Sequence, residues 1–436
     1  MEAILTLKWP KRHNPEVEAF LRRPAFPPEA EVAAAQVLSD IRARGDAAIV
    51  DAVRQFDKAK LTPATFRVPQ NELLRAAKQV PPAVQKAIRQ AHRNVRTFAK
   101  AGLRQSWQIP TAKGGRCGEF FRPIERVGVY IPGGTAPLAS SAVMTVTLAK
   151  AAGVPEIVAC TPCNAEGKVN PALLYALQLA GATEIYRVGG IQAIGMMAFG
   201  TKTVNPVRLI AGPGNAYVTA AKRQVYGYVA IDQVAGPSEI AILADDSADA
   251  KWIAADMLSQ AEHGSGYEKS LLVTTSQELA ERVNDEIFWQ LQSRSRKVII
   301  ERMIANGGML SAIVPSVDKG LELINAFAPE HFELIVRNAT RYLPKVTHAG
   351  AVFIGPWTPE SAGDFVAGPS HVLPTGGAAR MFSGLTAETF RKRTSFVEFT
   401  QADLAATRQA IETFGAIEGL DAHGYAATVR FLPSEH

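Results

Sequence analysis

Apolar residues recur at helical spacing in two segments near the N-terminus. The segments, residues 27–45 (PPEAEVAAAQVLSDIRARG) and 81–102 (PPAVQKAIRQAHRNVRTFAKAG), each begin with two prolines and end at a glycine. Proline fits the first helical turn and glycine commonly follows the last one, so both segments are predicted to be helices within a mainly helical region 28–105. A β-hairpin that turns at Gly114–Gly115 is predicted next.

Short β-type runs alternate with helical segments from about residue 125. The segments AAGVPEIVAC and LAGATEIYRV share a helix end that leads into a strand. The alternation predicts parallel βα units with right-handed crossovers, a Rossmann-like α/β architecture. A second α/β section is predicted from about residue 237, and the chain past about 385 is predicted to be a helical tail. Because that tail has little room for a core of its own, we expect it to pack elsewhere, such as on another subunit.

The composition of the chain indicates only the broad class of protein. The chain has 436 residues, of which 47% are apolar and 20% charged, and this predicts a globular protein of two or more domains. Its net charge is +6, but the basic residues are scattered, and the short cluster Arg391–Arg393 indicates a solvated face or an anionic ligand rather than nucleic acid. No signal-peptide segment or membrane-length apolar run is present, so we expect a cytoplasmic protein with no membrane or nucleic-acid partner.

Two of the three cysteines form a CTPC sequence after a predicted strand. A C-x-P-C pattern there is typical of thioredoxin-type redox sites, in which the first cysteine lies at a helix N-terminus. The next helix is predicted to begin only at Asn170–Pro171. We therefore favour a structural role for Cys160 and Cys163, and two thiols are too few for a cysteine-only zinc site.

Three glycine-rich turns follow predicted strands and precede predicted helices. They are YIPGG (130–134), VGG (188–190) and AGPGNAY (211–217). Tight turns require glycine for conformational reasons alone, but three turns on one edge of a parallel sheet also suit phosphate binding by backbone N–H groups. No G-x-G-x-x-G sequence follows any of these strands.

Four histidines in the C-terminal half lie beside acids or glycines at helix ends or in loops. Gln260 and His263 share one face of a helix end, and Glu330 precedes His331. Asp364 and His371 occupy a Pro/Gly loop, and the last group is EGLDAH, residues 418–423. Any one of these histidines could be a hydrogen-bonded structural residue, but four together favour a shared site.

The chemistry of these side chains separates two roles. Gln260, His263, Asp364 and His423 would form a mixed nitrogen and oxygen site for a divalent metal ion, with no thiolate. The adjacent Glu330 and His331 suit a general acid–base pair. Spacing alone leaves open whether the four metal-type segments converge.

Eight motifs in a fixed order resemble the histidinol dehydrogenase family over residues 30–430. They are RVGVYIPGG, YRVGGIQAI, AGPGNAYVTAAKR, DQVAGPSEI, LSQAEH, APEHFEL, GDFVAGPSHVLPTGG and EGLDAH. The resemblance implies a zinc- and NAD-dependent enzyme that oxidises L-histidinol to L-histidine through L-histidinaldehyde with two NAD⁺, the last steps of histidine biosynthesis.

The resemblance also implies roles for individual residues. It places one Zn²⁺ per subunit on Gln260, His263, Asp364 and His423, and it makes Glu330 and His331 the acid–base pair. The implied NAD contacts are Tyr130, Gln192 and Asn215. The implied substrate contacts are Ser238, Gln260, His263, His331, Asp364, His371, Glu418 and His423.

The family architecture implies two incomplete Rossmann-like domains with N- and C-terminal extensions, in an intertwined homodimer whose tails reach the partner's site. The boundaries expected here are an extension at 1–27, a discontinuous first domain at 28–129 and 237–384, a second domain on the NAD side at 130–236, and a helical tail at 385–436.

The sequence departs from the family pattern in three places. GSGYEKS follows LSQAEH where the family usually has an Asp-Pro-rich sequence, Ser370 replaces a frequent Asn, and CTPC replaces a cysteine-free turn. These departures leave one alternative open, a dehydrogenase of the same scaffold that acts on another polar alcohol such as a sulfonated diol. The presence of Ser238, His371 and Glu418 favours histidinol.

Overall fold

A computed structural model describes residues 4–8, 15–22, 27–133 and 137–433 of the chain. The strands are β1 (Leu5–Lys8), β2 (Trp107–Pro110), β3 (Arg116–Pro123), β4 (Arg126–Tyr130), β5 (Glu156–Cys160), β6 (Glu184–Tyr186), β7 (Leu209–Ala211), β8 (Ala230–Ile231), β9 (Glu239–Ala244), β10 (Lys269–Thr274), β11 (Met309–Ile313), β12 (His331–Ile335), β13 (Ala351–Ile354) and β14 (Arg391–Glu398). The helices are α1 (Pro15–Leu21), α2 (Pro28–Arg44), α3 (Asp46–Phe56), α4 (Gln70–Gln79), α5 (Pro82–Ala101), α6 (Ala139–Ala151), α7 (Pro171–Ala180), α8 (Gly190–Phe199), α9 (Ala216–Val225), α10 (Ala250–Ala261), α11 (Gln277–Leu291), α12 (Lys297–Ala305), α13 (Val317–Phe327), α14 (Glu360–Phe365), α15 (Gln401–Glu418) and α16 (Asp421–Thr428).

The chain divides into two compact units. The larger unit contains residues 1–102 and 124–390, and the smaller one contains residues 103–123 and 391–436. The predicted α/β class is confirmed, because both sheets of the larger unit are parallel throughout and alternate with helices. The part of the predicted N-terminal extension at residues 1–3, 9–14 and 23–26 lies outside the described residues.

The first sheet of the larger unit has five strands in the order β6-β5-β4-β7-β8. Its strand order reverses at β4, which pairs with β5 on one side and β7 on the other, and in open α/β sheets ligands bind at such a point, outside the carboxyl ends of the strands. The predicted helices α2 and α5 are confirmed, and α2, α8 and α9 share one apolar core with this sheet.

The second sheet of the larger unit has six strands in the order β1-β11-β10-β9-β12-β13. β9 and β12 lie side by side near its centre, and every residue of both strands is buried. Strands buried on both faces are nearly continuous apolar runs, as EIAILA is in β9. Apolar cores pack on both faces of this sheet and hold its central strands in place. They therefore also position His331, the first residue of β12.

The smaller unit contains an antiparallel sheet, β14-β3-β2, together with α15 and α16. The predicted hairpin is confirmed as β2 and β3, whose connection includes Gly114 and Gly115. The prediction of a helical tail from 385 is wrong at its start, because residues 391–398 form β14 and pair with β3 along its whole length. The helical part begins at Gln401, where Thr400 and Asp403 form a capping box. Among the described residues, no helix is long and apolar enough to cross a membrane.

Candidate active site

The predicted acid–base pair lies at the amino end of β12. α13 ends at Ala328, which adopts a left-handed conformation with φ of 50°, and Pro329 follows. Proline disfavours further helix in the residue before it, so the chain leaves α13 here and enters the sheet at His331. His331 is paired with Ile240 of β9, so Ser238, just before β9, lies at the same end of the sheet.

Glu330 is buried and held by two donors. Its Oε2 atom accepts hydrogen bonds from the Ser238 hydroxyl and from the backbone N–H of Glu239, the latter at 3.0 Å. Burial raises the pKa of Glu330, although the neighbouring His331 opposes that shift. Ser238, predicted to contact substrate, therefore contacts the predicted acid–base carboxyl in this structure.

His331 is buried with different surroundings at its two ring nitrogens. Nδ1 lies 3.1 Å from the backbone oxygen of Glu239 and 3.1 Å from Oε1 of Gln260, and both atoms are acceptors. These partners assign the proton to Nδ1. Nε2 is buried without a hydrogen-bond partner among the described residues and lies 3.5 Å from Oδ1 of Asp364. Nε2 is therefore the atom that is free to exchange a proton.

The carboxylates around His331 determine its charge. Burial lowers the pKa of His331, but Glu330 and Asp364 outweigh burial and raise it to about 10. The same pairing lowers the pKa of Asp364, against the effect of its own burial. In the metal-free chain, His331 is thus an imidazolium between carboxylates.

Gln260 lies in the last turn of α10, as the sequence predicted, but His263 lies two residues beyond the helix, which ends at Ala261. Asp249 caps the start of this helix by accepting from the N–H of Lys251 at 2.8 Å, and Gly264 follows its end with φ of 106°. Nδ1 of His263 lies 3.1 Å from the carbonyl oxygen of Gln260. The side-chain Nε2 of Gln260, which only donates, also lies 3.3 Å from Nδ1, so the contacts at Nδ1 fit either tautomer of this exposed ring.

Asp364 lies near the end of α14, and His371 in the Pro/Gly loop that follows folds back against it. Nδ1 of His371 donates to the backbone oxygen of Asp364 at 2.9 Å, and its Nε2 lies 3.0 Å from Oγ of Ser141 in α6. Burial lowers the pKa of His371 and favours its neutral form, although the Asp364 charge opposes this shift. Ser141 was not predicted, because only the folded chain brings α6 to this loop.

Three further carboxyl groups adjoin the site and were also not predicted. Glu360 lies one helical turn before Asp364, Glu333 lies two residues after His331 on the same face of β12, and Asp256 lies one turn before Gln260. Their spacing could have identified them, because residues four apart in a helix and two apart in a strand lie on the same face. Burial raises the pKa of Glu360 to about 7 and that of Glu333 well above its usual value.

The donor set suits a divalent cation. Side-chain atoms of His331, Glu360 and Asp364 lie within 4.8 Å of one another. Nε2 of His331 and Oε1 of Glu360 are both buried without hydrogen-bond partners among the described residues. Leaving a buried carboxylate oxygen unpaired costs free energy, and a cation held at Asp364 beside Glu360 would offset that cost while Nε2 of His331 stays open to a substrate.

The predicted cofactor residues lie at the carboxyl edge of the five-stranded sheet. Tyr130 ends β4, and its hydroxyl accepts from the N–H of Gly190 at 3.1 Å. Gln192 lies in the first turn of α8, and the exposed Asn215 caps α9 through the N–H of Val218. Gly212 (φ 117°) lies against the carbonyl oxygen of Tyr130, so no side chain fits there. Gly134, at the end of the first predicted turn, lies outside the described residues.

The CTPC thiols differ from those of a redox pair. Cys160 ends β5 and is buried, Cys163 is half-buried, and both are free thiols. Burial raises the pKa of Cys160 and raises that of Cys163 to about 11, so neither is a ready thiolate. The next helix, α7, begins at Pro171 with Asn170 as its cap, as predicted.

The remaining predicted residues, Glu418 and His423, belong to the smaller unit. Glu418 is the last residue of α15, His423 lies in α16, and both side chains are exposed. Their roles stay predictions from the resemblance.

The larger unit combines parallel sheets, glycine-rich turns at one sheet and a buried imidazole among carboxylates at the other, features that are typical of an enzyme. The histidinol dehydrogenase family model matches residues 22–431. Histidinol dehydrogenases of Synechococcus sp. and Heliobacterium mobile are 43% and 44% identical over 400 and 399 residues, covering 92% of this chain in each case and 92% and 93% of the relatives. The crystal structure of histidinol dehydrogenase from Elizabethkingia anophelis superposes with a TM-score of 0.93 at 37% identity, covering 99% of this chain and 98% of that one. The chain belongs to the histidinol dehydrogenase family, whose members are oxidoreductases.

Proposed function

We propose that this protein oxidises L-histidinol to L-histidine through L-histidinaldehyde, using two NAD⁺ and one bound zinc ion. Membership of the family supports the reaction, and the single structural observation that carries it is the free Nε2 atom of buried His331 beside Asp364. An oxidation of an alcohol requires a base at the hydroxyl proton, and a buried imidazole with one free nitrogen is suited to that task.

Zinc would be held by Gln260, His263 and Asp364, with His423 of the tail as the fourth ligand. When bound, the ion supplies a positive charge that orients the imidazole and amino nitrogens of the substrate. Asp364 is the anionic ligand of this set, and His263 is an exposed imidazole in the segment that follows α10. A cation held at Asp364 would repel the imidazolium form of His331 and favour the neutral ring that acts as a base.

His331 accepts the hydroxyl proton at Nε2 as hydride leaves the carbinol carbon for NAD⁺. Its Nδ1–H keeps its acceptors, so the ring holds its orientation during the transfer. In the second stage, Glu330 accepts a proton from the water that adds to the aldehyde, and the hydrate gives up the second hydride. Burial raises the pKa of Glu330, which makes its carboxylate a stronger base than an exposed one.

NAD would bind along the carboxyl edge of the five-stranded sheet, with Tyr130, Gln192 and Asn215 as contacts. The reversal of strand order at β4 and the N-termini of α8 and α9 support this location. We assign Rossmann-like character to both parallel sheets on the same grounds, and the domain boundaries expected from the sequence remain part of this proposal.

Substrate would be contacted by Ser238, His371 and Glu418 in addition to the metal ligands. Glu418 and His423 lie in the tail, and we propose that the tail serves the partner subunit of a homodimer. Three tail side chains support an interface, since Phe414 is 65% exposed, Ile417 75% and Tyr425 59%. We place the reaction in the cytoplasm.

The loop that departs from the family pattern does not favour another substrate. Its Glu268 is buried and accepts from the N–H groups of Ser265 and Gly266 at 2.6 and 2.8 Å. Arg302 and Asn306, at the end of α12, donate to the carbonyl oxygens of Gly264 and Gly266. These hydrogen bonds give the GSGYE segment a structural role as an ordered loop. The loop is bonded to α12 and not to the residues of the proposed site.

A substrate comparison before and after metal removal tests the proposal. The purified protein is assayed for NADH formation with L-histidinol, L-histidinaldehyde and a sulfonated propanediol. We expect turnover of the first two only, loss of activity after dialysis against a strong chelator, and recovery on addition of Zn²⁺. Turnover of the diol but not of L-histidinol, or full activity without metal, contradicts the proposal.

A further inference from the structure

Glu360 connects three elements that carry site residues. Its side chain is among the most buried carboxyls of the described chain, with 1% of the residue exposed. Its Oε2 atom accepts from Oγ of Ser259 in α10 at 2.7 Å, and its backbone N–H donates to Oε1 of Glu333 in β12 at 2.7 Å. Glu360 itself begins α14.

Each of these connections leads to a residue of the proposed site. Ser259 is the neighbour of Gln260, Glu333 lies on the same face of β12 as His331, and Asp364 follows Glu360 by one helical turn. The helix end, the strand end and the short helix are thus joined at one side chain.

The second carboxylate oxygen of Glu360 indicates that a ligand binds near this side chain. Oε1 is buried without a hydrogen-bond partner among the described residues. An unpaired buried carboxylate oxygen destabilises a fold, and an apolar residue at this position would avoid that cost. A carboxylate oxygen of Glu360 lies within 4.8 Å of side-chain atoms of His331 and Asp364. A nearby cation would offset the free-energy cost of the carboxylate oxygen that the protein leaves unpaired.

We propose that Glu360 is a positioning residue of the metal site, which orients Asp364 and the end of α10 toward the ion and supplies a second negative charge beside it. This inference rests on the proposed function. Among the four ligands expected from the resemblance, Asp364 alone is anionic, so a nearby second carboxylate balances the charge of a divalent cation. Residues that hold metal ligands in place are commonly worth a factor of about 10–100 in metal affinity.

The test measures zinc affinity directly, by competition with a fluorescent chelator, in the full-length protein. Glu360→Gln keeps an oxygen that can accept from Ser259 but removes the charge. Glu278→Gln, at an exposed position of α11, removes the same charge elsewhere and serves as the matched control. We expect a dissociation constant about 10–100-fold higher for Glu360→Gln and an unchanged one for Glu278→Gln.

A second variant keeps the proposal testable if Glu360→Gln fails to fold. Ser259→Ala removes only the hydrogen bond to Oε2, and its expected effect is a roughly threefold to tenfold weaker zinc affinity. Wild-type affinity in either folded variant overturns this inference while the proposed function stands. A wild-type protein that binds no zinc overturns both.

Discussion

Oε1 of Gln260 lies 3.1 Å from Nδ1 of His331, which joins the end of α10 to the amino end of β12. The contact links a residue expected to bind metal with the residue expected to act as the base. Together with the carbonyl oxygen of Glu239, it keeps the proton of His331 on Nδ1 and turns Nε2 toward Asp364. The orientation of the base therefore depends on the end of the helix that carries Gln260, one of the proposed ligands.

The two members of the acid–base pair should differ in the steps that they affect. His331→Asn removes Nε2 and is expected to slow both oxidations by about 10²–10⁴-fold. Glu330→Gln keeps a side chain that can accept from Ser238 but loses the carboxylate, so it should slow mainly the aldehyde step. Pre-steady-state NADH formation from L-histidinol and from L-histidinaldehyde measures the two steps separately. Equal losses in both steps for Glu330→Gln, with zinc retained, would contradict this division.

A buried ion pair behind the cofactor turn should be essential to stability. Lys222 of α9 pairs with Asp232, and it also donates to the carbonyl oxygen of Gly212 at 2.9 Å. Lys222→Met leaves a buried carboxylate unpaired and is expected to lower the free energy of unfolding by about 3–5 kcal/mol. Denaturant unfolding measures this change.

The double variant Lys222→Met/Asp232→Asn is the control for this pair. It removes both charges, so it should regain a large part of the lost stability. Recovery should be partial, because Asp232 also accepts from the backbone N–H groups of Gly212 and Gln233 and Asn keeps only one acceptor oxygen. No recovery at all would contradict the role given to the unpaired charge.

Asp57 should make the stability of the metal- and cofactor-free protein depend on pH. Burial raises its pKa to about 6 from 3.8, although Gln192 opposes the shift through a hydrogen bond of 3.4 Å. Below pH 4 the carboxyl is protonated in both states. Between pH 4 and 6 the unfolded chain ionises first and binds fewer protons, so stability falls as the pH rises, and above pH 6 the penalty is constant.

Asp57→Asn removes this penalty. At pH 7.5 the variant is expected to be more stable than the wild type by about 1–2 kcal/mol, a value reduced for partial exposure, and the difference should vanish below pH 4. Urea unfolding at both pH values checks this. A variant that is less stable at pH 7.5 would show that the hydrogen bond to Gln192 outweighs burial.

Local signals in the sequence were sufficient for much of the fold. The proline starts and glycine ends of α2 and α5 and the hairpin at Gly114–Gly115 were predicted because each depends on neighbouring residues. β14 was wrongly predicted to be helical, because its segment becomes a strand only by pairing with β3, from a distant part of the chain.

The site shows the same limit. The pairs Gln260–His263 and Glu330–His331 were visible because their members are close in sequence. Glu360 was missed because its role depends on α10 and β12, which approach it only in the folded chain. The resemblance to the family assigned site roles to residues that are far apart in the sequence. Spacing alone did not show whether those residues converge in the folded chain.

The most direct test of the account is the number of NADH molecules formed for each L-histidinol consumed, with the product identified by amino-acid analysis. The account predicts two NADH and one L-histidine, with both lost after metal removal and restored by Zn²⁺. One NADH for each L-histidinol, with the aldehyde released, or the same yield from the metal-free protein, would contradict it.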